Sequence, residues 1–354
     1  MQSIAVVITG AAGYVGEMLC AQAATRSDIH TIVAIDKEPM TDFLRQVPKL
    51  KYVQANLADD SWQAAAAAAS PAVVVHTAWQ IRSLYGEAAK QWRWNTTGSD
   101  KVFAFAFGTP SVKTLIHFST AASYSAQYTN TFDQFFVETD EQRPDDYRYA
   151  LEKRIAEEHL QAVYRAAATP PAVVVLRPAA ITGPRGRYIK LRFGLQSALA
   201  GNLRGGLLAR LVTILTAFMP ATSGFARQFV HEDDVVDTVV HFATTAPQGY
   251  EVYNLTPTGP FLRATEMAAA VGKRVLWLPP VLVRLVFFLF WHGTRGRIPT
   301  APGSWRFYAY PLLLCGDKLA AVRPCRYDSV TAFTTTAGRY QTLVPESARQ
   351  GSAR

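Results

Sequence analysis

Tyr149-Ala150-Leu151-Glu152-Lys153 sets a phenol and an ammonium four residues apart, in a stretch that reads as helix to about Tyr164. That spacing puts both groups on one helix face. A phenol ordinarily titrates near about 10, and a neighbouring ammonium favours the phenolate and lowers that value. Tyr149 could then work as a general acid/base near neutral pH. An ordinary amphipathic helix also carries such pairs, so the motif needs support from elsewhere. Tyr147, six residues before Lys153, falls on another face. The second group is Thr120, just past the apolar run Thr114–Phe118. In open α/β sheets ligands lie beyond the carboxyl ends of strands. A hydroxyl there can hold a reacting oxygen, or simply cap a turn.

Both groups need a partner and a frame, and the N-terminus supplies them. Ile4–Ile8 reads as a buried strand that runs into Gly10-Ala11-Ala12-Gly13-Tyr14-Val15-Gly16 and then a helix. Gly10 permits a tight turn, Gly13 lets backbone approach a pyrophosphate, and Gly16 lets the helix pack closely. The helix N-terminus offers N–H groups and partial positive charge to phosphate. The next strand, Thr31–Ile35, ends in Asp36, 20 residues after Gly16. An acid there suits the adenosine ribose hydroxyls and repels a 2′-phosphate. NAD is therefore favoured over NADP, although Lys37 next door softens the preference.

The chain has 354 residues, 36 Lys+Arg against 27 Asp+Glu, and 49% hydrophobic residues. The length suggests about two domains. The net charge of +9 attracts anions such as a dinucleotide, an acidic substrate or an anionic membrane. No basic run is long enough to support nucleic-acid binding. Cys20, Cys315 and Cys325 cannot all pair and suit no zinc site, so reduced thiols in a cytoplasmic protein and no bound metal are expected. No targeting signal is visible.

Apolar strands alternate with helices through the first half. Further strands are expected at Lys51–Ala55, Ala72–His76, Thr114–Phe118 and Val173–Leu176, and helices at Trp62–Ala69 and Glu87–Phe107, the latter interrupted near Asn95–Gly98. The pattern predicts an α/β fold, a Rossmann-type doubly wound parallel sheet. After about Pro178 the character changes, and a smaller, mostly helical domain is expected. The division is 1–180, with 228–255 returning to it, for the dinucleotide, and 181–227 with 256–354 for the substrate. The tail 349–354 is expected to be disordered.

Taken together, these segments resemble the extended short-chain dehydrogenase/reductases, the NAD-dependent epimerase/dehydratase family. Thr9–Gly16 resembles TGxxGxxG, His76-Thr77-Ala78-Trp79 resembles an HxAA strand end, and Asn95-Thr96-Thr97-Gly98 resembles NVxGT. Ser119-Thr120…Tyr124 resembles SSxxVYG, Tyr149…Lys153 is the YxxxK pair, and Arg177-Pro178…Gly183-Pro184 resembles RPxxxYGP. Arg227–Val235 resembles RxFVHVxDV, and Tyr310–Pro324 resembles the C-terminal DxSKxxxxLGWxP region. The resemblance implies a catalytic set of Tyr149, Lys153 and Thr120. It implies cofactor contacts at Gly10, Ala12, Gly13, Tyr14, Val15, Gly16, Asp36, Asn56, Leu57, Thr77, Ala78, Asn95 and Pro178, besides Tyr149 and Lys153. Substrate contacts fall at Thr120, Ala121, Ala180 and Arg227. Homodimers are common in this family.

The departures narrow the expectation. Ala121 and Ala122 stand where dehydratases carry Asp-Glu, and Ala180 stands where sugar-nucleotide enzymes usually carry Asn. Asn56 replaces a common Asp, Trp79 replaces a small residue, and Ser125 replaces Gly. Val275–Trp291 is strongly apolar, but two prolines and Arg284 break it, so it is too short to span a bilayer. A helix from Pro280 is expected, as core, as the wall of a greasy pocket, or on a membrane surface. Gly206–Met219 is a second apolar stretch, while Arg185, Arg187, Lys190 and Arg192 could bind an anion. The reading is hydride transfer between NAD and a secondary alcohol or ketone on a largely apolar substrate. The alternatives are a nucleotide-sugar 4-epimerase and a non-catalytic dinucleotide-binding protein. The expected partners are a small-molecule substrate, with a homodimer and peripheral membrane contact both allowed.

Overall fold

The computed structural model describes residues 3–143, 146–186, 218–270, 274–335 and 337–341. Arg187, Lys190, Arg192, nearly all of Gly206–Met219 and the tail 349–354 lie outside them.

A parallel sheet of seven strands carries the molecule, in the order β12-β7-β5-β4-β1-β2-β3. These strands are β1 (Ile4–Thr9), β2 (Ile29–Asp36), β3 (Leu50–Gln54), β4 (Val73–His76), β5 (Thr114–Phe118), β7 (Ala172–Pro178) and β12 (Tyr250–Leu255). Their β-branched runs fit strands buried on both faces. Val6, Ile8, Val75, Ile116 and Leu176 face one helical layer, including Leu19 of α1 (Tyr14–Ala24) and Val235 of α6 (Glu232–Thr244). Val7, Val33, Val74, Leu115 and Val175 face the other, including Phe103 of α4 (Gly98–Gly108) and Leu160 of α5 (Arg148–Ala166). Strand order reverses between β1 and β4, and the crevice at such a switch point is where a ligand binds.

Two elements show how far local sequence signals reach. The interrupted helix is real: α3 (Ala88–Trp92) passes through a π-helical stretch, Arg93–Thr97, into α4. Such widened turns are frequent at functional sites, and this one carries Asn95. The strand β12 has no clean apolar run, because Glu251 and Asn254 interrupt it.

Outside the sheet, β8 (Ala180–Thr182) pairs with β11 (Phe229–His231), and β10 (Ala226–Arg227) with β13 (Leu262–Arg263). The strand β9 (Phe218–Ala221) pairs with β14 (Arg274–Trp277), and β6 (Phe135–Phe136) with β15 (Leu313–Leu314). A separate apolar cluster joins Phe225, Phe229, Leu262 and Met267 of α7 (Ala264–Ala270). The expected helix from Pro280 is α8 (Pro280–Gly293), with proline in its first turn, where its missing N–H costs nothing. It is core on one face only: Val283 and Trp291 are buried, while Val281, Leu285, Phe288 and Leu289 are exposed. No helix among the described residues is long and apolar enough to cross a membrane.

Candidate active site

The switch point is shaped by glycine. Gly10 sits at φ +73°, and a Cβ there would lie 2.6 Å from the backbone of Ala78 beyond β4. A Cβ on Gly16 would collide with the carbonyl oxygen of Gly10. Both glycines therefore let β1, α1 and the end of β4 converge. Thr77 fastens the same junction, its hydroxyl donating to the Thr9 carbonyl at 2.7 Å. No side chain caps the N-terminus of α1 at Gly13, which leaves its first N–H groups available to a phosphate. Ala12, Tyr14 and Val15 lie on this turn, and the Tyr14 hydroxyl donates to Glu232 at 2.5 Å. That bond ties the turn to α6.

Asp36 ends β2 beside the turn. Its carboxylate accepts the N–H groups of Ala12 and Glu38, both at 3.0 Å, and burial raises its pKa. Lys37 is drawn aside by Glu38 and sits 4.7 Å above the Trp94 ring. Lys37 still lowers the Asp36 pKa through its charge, but by less than burial raises it. The Asn56 carbonyl accepts the Ala58 N–H at 3.0 Å, and Leu57 packs against Gly98.

Thr120, two residues past β5, lies near enough to the Tyr149 phenol for its hydroxyl to lower that phenol's pKa, and it accepts the Ala122 N–H at 3.1 Å. The hydroxyl and the phenol, distant in sequence, thus share one place at the carboxyl end of the sheet. Lys153 follows one turn later on α5, only 3% exposed. Its ammonium donates to the Phe118 carbonyl and lies 3.7 Å from the Trp79 ring centroid. Here the geometry departs from the sequence reading. Burial raises the Tyr149 pKa and the nearby Thr120 hydroxyl lowers it by less, while Lys153 is directed to Phe118 and Trp79. In this conformation Tyr149 is a neutral phenol with a proton to give. Tyr147 packs 5.4 Å from Phe307 and 5.6 Å from Tyr149, on the far side from the lysine.

Burial lowers the Lys153 pKa from 10.5 to about 7. Between those values the unfolded chain holds a proton that the folded chain has shed. Stability conferred by this group therefore rises from about pH 7 to about pH 10.5 and is absent below about pH 7. Denaturation midpoints of wild type and Lys153→Met, taken at about pH 6 and about pH 9, should show the wild type gaining on the variant as pH rises. Parallel midpoints would mean that the lysine is not desolvated.

Support for these groups comes from Asn95 and Arg177, both in motifs that carry the family resemblance, and from Glu157, which the sequence reading passed over. Asn95 is 1% exposed and turned into protein, with its amide donating to Gln80 O and to Glu152 at 2.7 Å. Its carbonyl accepts the Gln80 N–H at 2.7 Å. The expected cofactor contact is thus a brace between the β4 loop and α5. Glu157, four residues beyond Lys153, accepts Ser119 and pairs with Arg177 at 2.7 Å. Arg177 reaches the Tyr124 hydroxyl at 2.6 Å, and Tyr124 donates to Asn254 at 2.9 Å. This buried chain fixes the turn that carries Thr120 and explains the polar Asn254 in β12. The spacing of Lys153 and Glu157 on one helix was the available signal.

On the substrate side, Ala121 lies next to Thr120, and Ala180 follows Pro178 at the end of β7. Arg227 donates to the Phe307 carbonyl at 3.0 Å and lies 4.8 Å from the Tyr308 ring. Arg185 is committed elsewhere, paired with Glu17.

Comparison with known proteins shows the family and the fold. The sequence profile of the NAD dependent epimerase/dehydratase family matches residues 6–256. The chain belongs to this family. It is an NAD-dependent enzyme of the extended short-chain dehydrogenase/reductase type. Its fold is similar to that of the Bordetella bronchiseptica enzyme WbmG, solved with NAD and UDP, at 21% identity over 96% of this chain and 95% of that one, TM-score 0.67. It is also similar to DesIV, a dTDP-glucose 4,6-dehydratase from Streptomyces venezuelae solved with NAD and TYD, at 17% identity, 96% and 97% coverage, and TM-score 0.67. UDP-glucose 4-epimerase from Thermotoga maritima, solved with UDP-glucose, matches at 16% identity, 96% and 99% coverage, and TM-score 0.67. No curated protein matches the sequence. At these identities the likeness to solved structures is one of fold.

Proposed function

We propose that this family member moves a hydride between NAD and a secondary carbinol, with Tyr149 exchanging the carbinol proton. The carrying observation is the approach of the Thr120 hydroxyl to the Tyr149 phenol at the sheet's carboxyl end, with Lys153 one turn further on. When bound, NAD supplies a hydride acceptor and positive charge. Asp36, the Gly10–Gly16 turn, Leu57, Thr77, Ala78 and Pro178 would hold it. Thr120 orients the reacting oxygen. In the reducing direction the Tyr149 phenol gives its proton to the carbonyl oxygen; in the oxidising direction the phenol first releases that proton to solvent, and the phenolate takes the carbinol proton as the carbon is oxidised. Lys153, with its pKa near neutral, holds or releases a proton beside them. In the same reading, residues 1–180 with 228–255 serve the cofactor, and 181–227 with 256–354 serve the substrate. An NAD-dependent reaction of this kind fits a cytoplasmic setting.

For the substrate, the structural neighbours favour a nucleotide sugar and a 4-epimerase reaction, in which the hydride returns to the opposite face of the same carbon. Arg227 would grip the diphosphate. A dehydratase is disfavoured by Ala121 and Ala122, which provide no acid or base for losing water. A second reading, oxidation of an apolar alcohol, rests on Ala180 and on the aromatic rings of Phe225 and Tyr308 beside Arg227. The test is to incubate the enzyme with NAD and either UDP-glucose or a lipid alcohol, following both C4 epimerisation and NADH. Epimerisation with no net NADH supports the epimerase; steady NADH formation supports the second reading. If neither substrate reacts while the protein binds NAD, both substrate readings fail.

A further inference from the structure

The helix α8 has two apolar faces, and among the described residues only one of them has a partner. Its inward face, with Val283 and Trp291, is buried. Its outward face carries Val281 at 72%, Leu285 at 50%, Phe288 at 59% and Leu289 at 58% exposure, spaced as one helical stripe. Leu276 and Trp277, which precede the helix on β14, are 46% and 54% exposed. An outward helix face on a protein in water is ordinarily polar, and contiguous apolar patches of this kind mark an interaction surface.

Charge identifies the occupant. Residues 267–316 contain six Lys/Arg and no Asp or Glu, within a chain whose net charge is +9. Arg274, Arg284, Arg295 and Arg297 are exposed, and among the described residues none of the four forms an ion pair with a carboxylate. Arg295 and Arg297 lie just past the C-terminus of α8, and Arg274 just before Leu276. A protein partner of ordinary composition would explain the apolar stripe without explaining a belt of uncompensated arginines. An anionic bilayer explains both. A helix of 14 residues is about 21 Å long, too short to cross a hydrocarbon core of about 30 Å but sufficient to lie in its interface. Trp277 at the rim has the amphipathic ring that favours that depth.

We propose that α8 is a peripheral docking element: Val281, Leu285, Phe288 and Leu289 enter the headgroup boundary of an anionic phospholipid membrane, and the flanking arginines bind lipid phosphates. This is independent of the reaction assigned to Tyr149, since no residue of the stripe belongs to that site.

The test is sedimentation of the full-length protein with phosphatidylglycerol vesicles and with phosphatidylcholine vesicles, alongside its mass in solution. Wild type should bind phosphatidylglycerol and bind phosphatidylcholine far more weakly, with the difference shrinking in high salt. Leu285→Glu with Phe288→Glu should weaken binding by about tenfold or more. Neutralising Arg295 and Arg297 to Gln should cost about fivefold each on phosphatidylglycerol alone. Leu285→Ala with Phe288→Ala, expected to weaken binding in the same direction, guards against misfolding of the charged pair. All variants should keep wild-type NAD binding and any activity measured without vesicles. Absence of binding to both vesicles overturns the proposal, as does equal binding to both. It is likewise overturned if wild type is a dimer that Leu285→Glu with Phe288→Glu dissociates, because the stripe then belongs to a second copy of the chain.

Discussion

Tyr149→Phe is expected to lower turnover by about 10²–10⁴-fold, the usual contribution of a positioned acid or base, while NAD still binds. The substitution removes one oxygen and leaves the ring, so the contact with Tyr147 at 5.6 Å is kept. What is lost is the proton carrier and its polar interaction with Thr120. Thr120→Val provides the comparison. It removes the orienting hydroxyl but leaves the phenol, so its loss should be the smaller of the two. The measurement is kcat with the substrate identified by the epimerisation and NADH assays, together with NAD affinity by fluorescence quenching. If Tyr149→Phe retains more than about a tenth of turnover, the phenol is not the proton carrier. If NAD affinity falls in step with turnover, the residue serves the cofactor cradle instead.

The difference between what was legible in the chain and what was not follows from how local each signal is. Strands β1, β2, β4, β5 and β7 announce themselves as β-branched runs because both faces of a parallel sheet are covered. The strand β12 did not, since Asn254 serves Tyr124, Phe136 and Cys315 in other segments, and Glu251 pairs with Lys318 at 2.7 Å. Its polar residues make sense only after the fold has formed. The glycine turn was legible because backbone sterics act within a few residues. The break near Asn95 was legible too, but its π-helical form and the bond from Asn95 to Glu152 depend on where α5 packs.

Side-chain direction was the least legible part of the site. The spacing of Tyr149 and Lys153 fixes a shared helix face, yet it does not fix where the ammonium points. The Phe118 carbonyl and the Trp79 ring decide that, and both come from other strand ends. Trp79 was visible in the sequence only as a bulky residue in a small residue's place. Its consequence, a lysine buried beneath an indole with its pKa brought to about 7, needs three segments in contact. The apolar helix shows the same limit. Hydrophobicity established that α8 would form, but only the fold shows that one of its two greasy faces has nothing from the described chain against it.

Glu157 carries the largest structural expectation. Its carboxylate is 5% exposed and the Arg177 guanidinium 8%, so neither has bulk water to turn to if its partner is removed. Glu157→Ala leaves an arginine whose charge is desolvated beneath the sheet and strips Ser119 of its acceptor. Breaking a buried pair from one side costs about 3–5 kcal/mol, and denaturant unfolding of the NAD-free protein should show a loss of that size. The turn Ser119–Tyr124 should lose definition with it, because Arg177 also anchors the Tyr124 hydroxyl. Glu157→Gln separates the two effects. It keeps a hydrogen-bond acceptor for Ser119 and Arg177 while removing the compensating charge, so its stability should fall between wild type and Glu157→Ala. Because Glu157 is the charge that holds the Lys153 pKa up against burial, the same substitution should move that lysine further toward its neutral form. A pH profile of kcat/KM whose lysine limb shifts to lower pH in Glu157→Gln would show the carboxylate acting on the catalytic helix and not merely on the sheet. An unshifted profile beside reduced stability would confine Glu157 to a purely structural part.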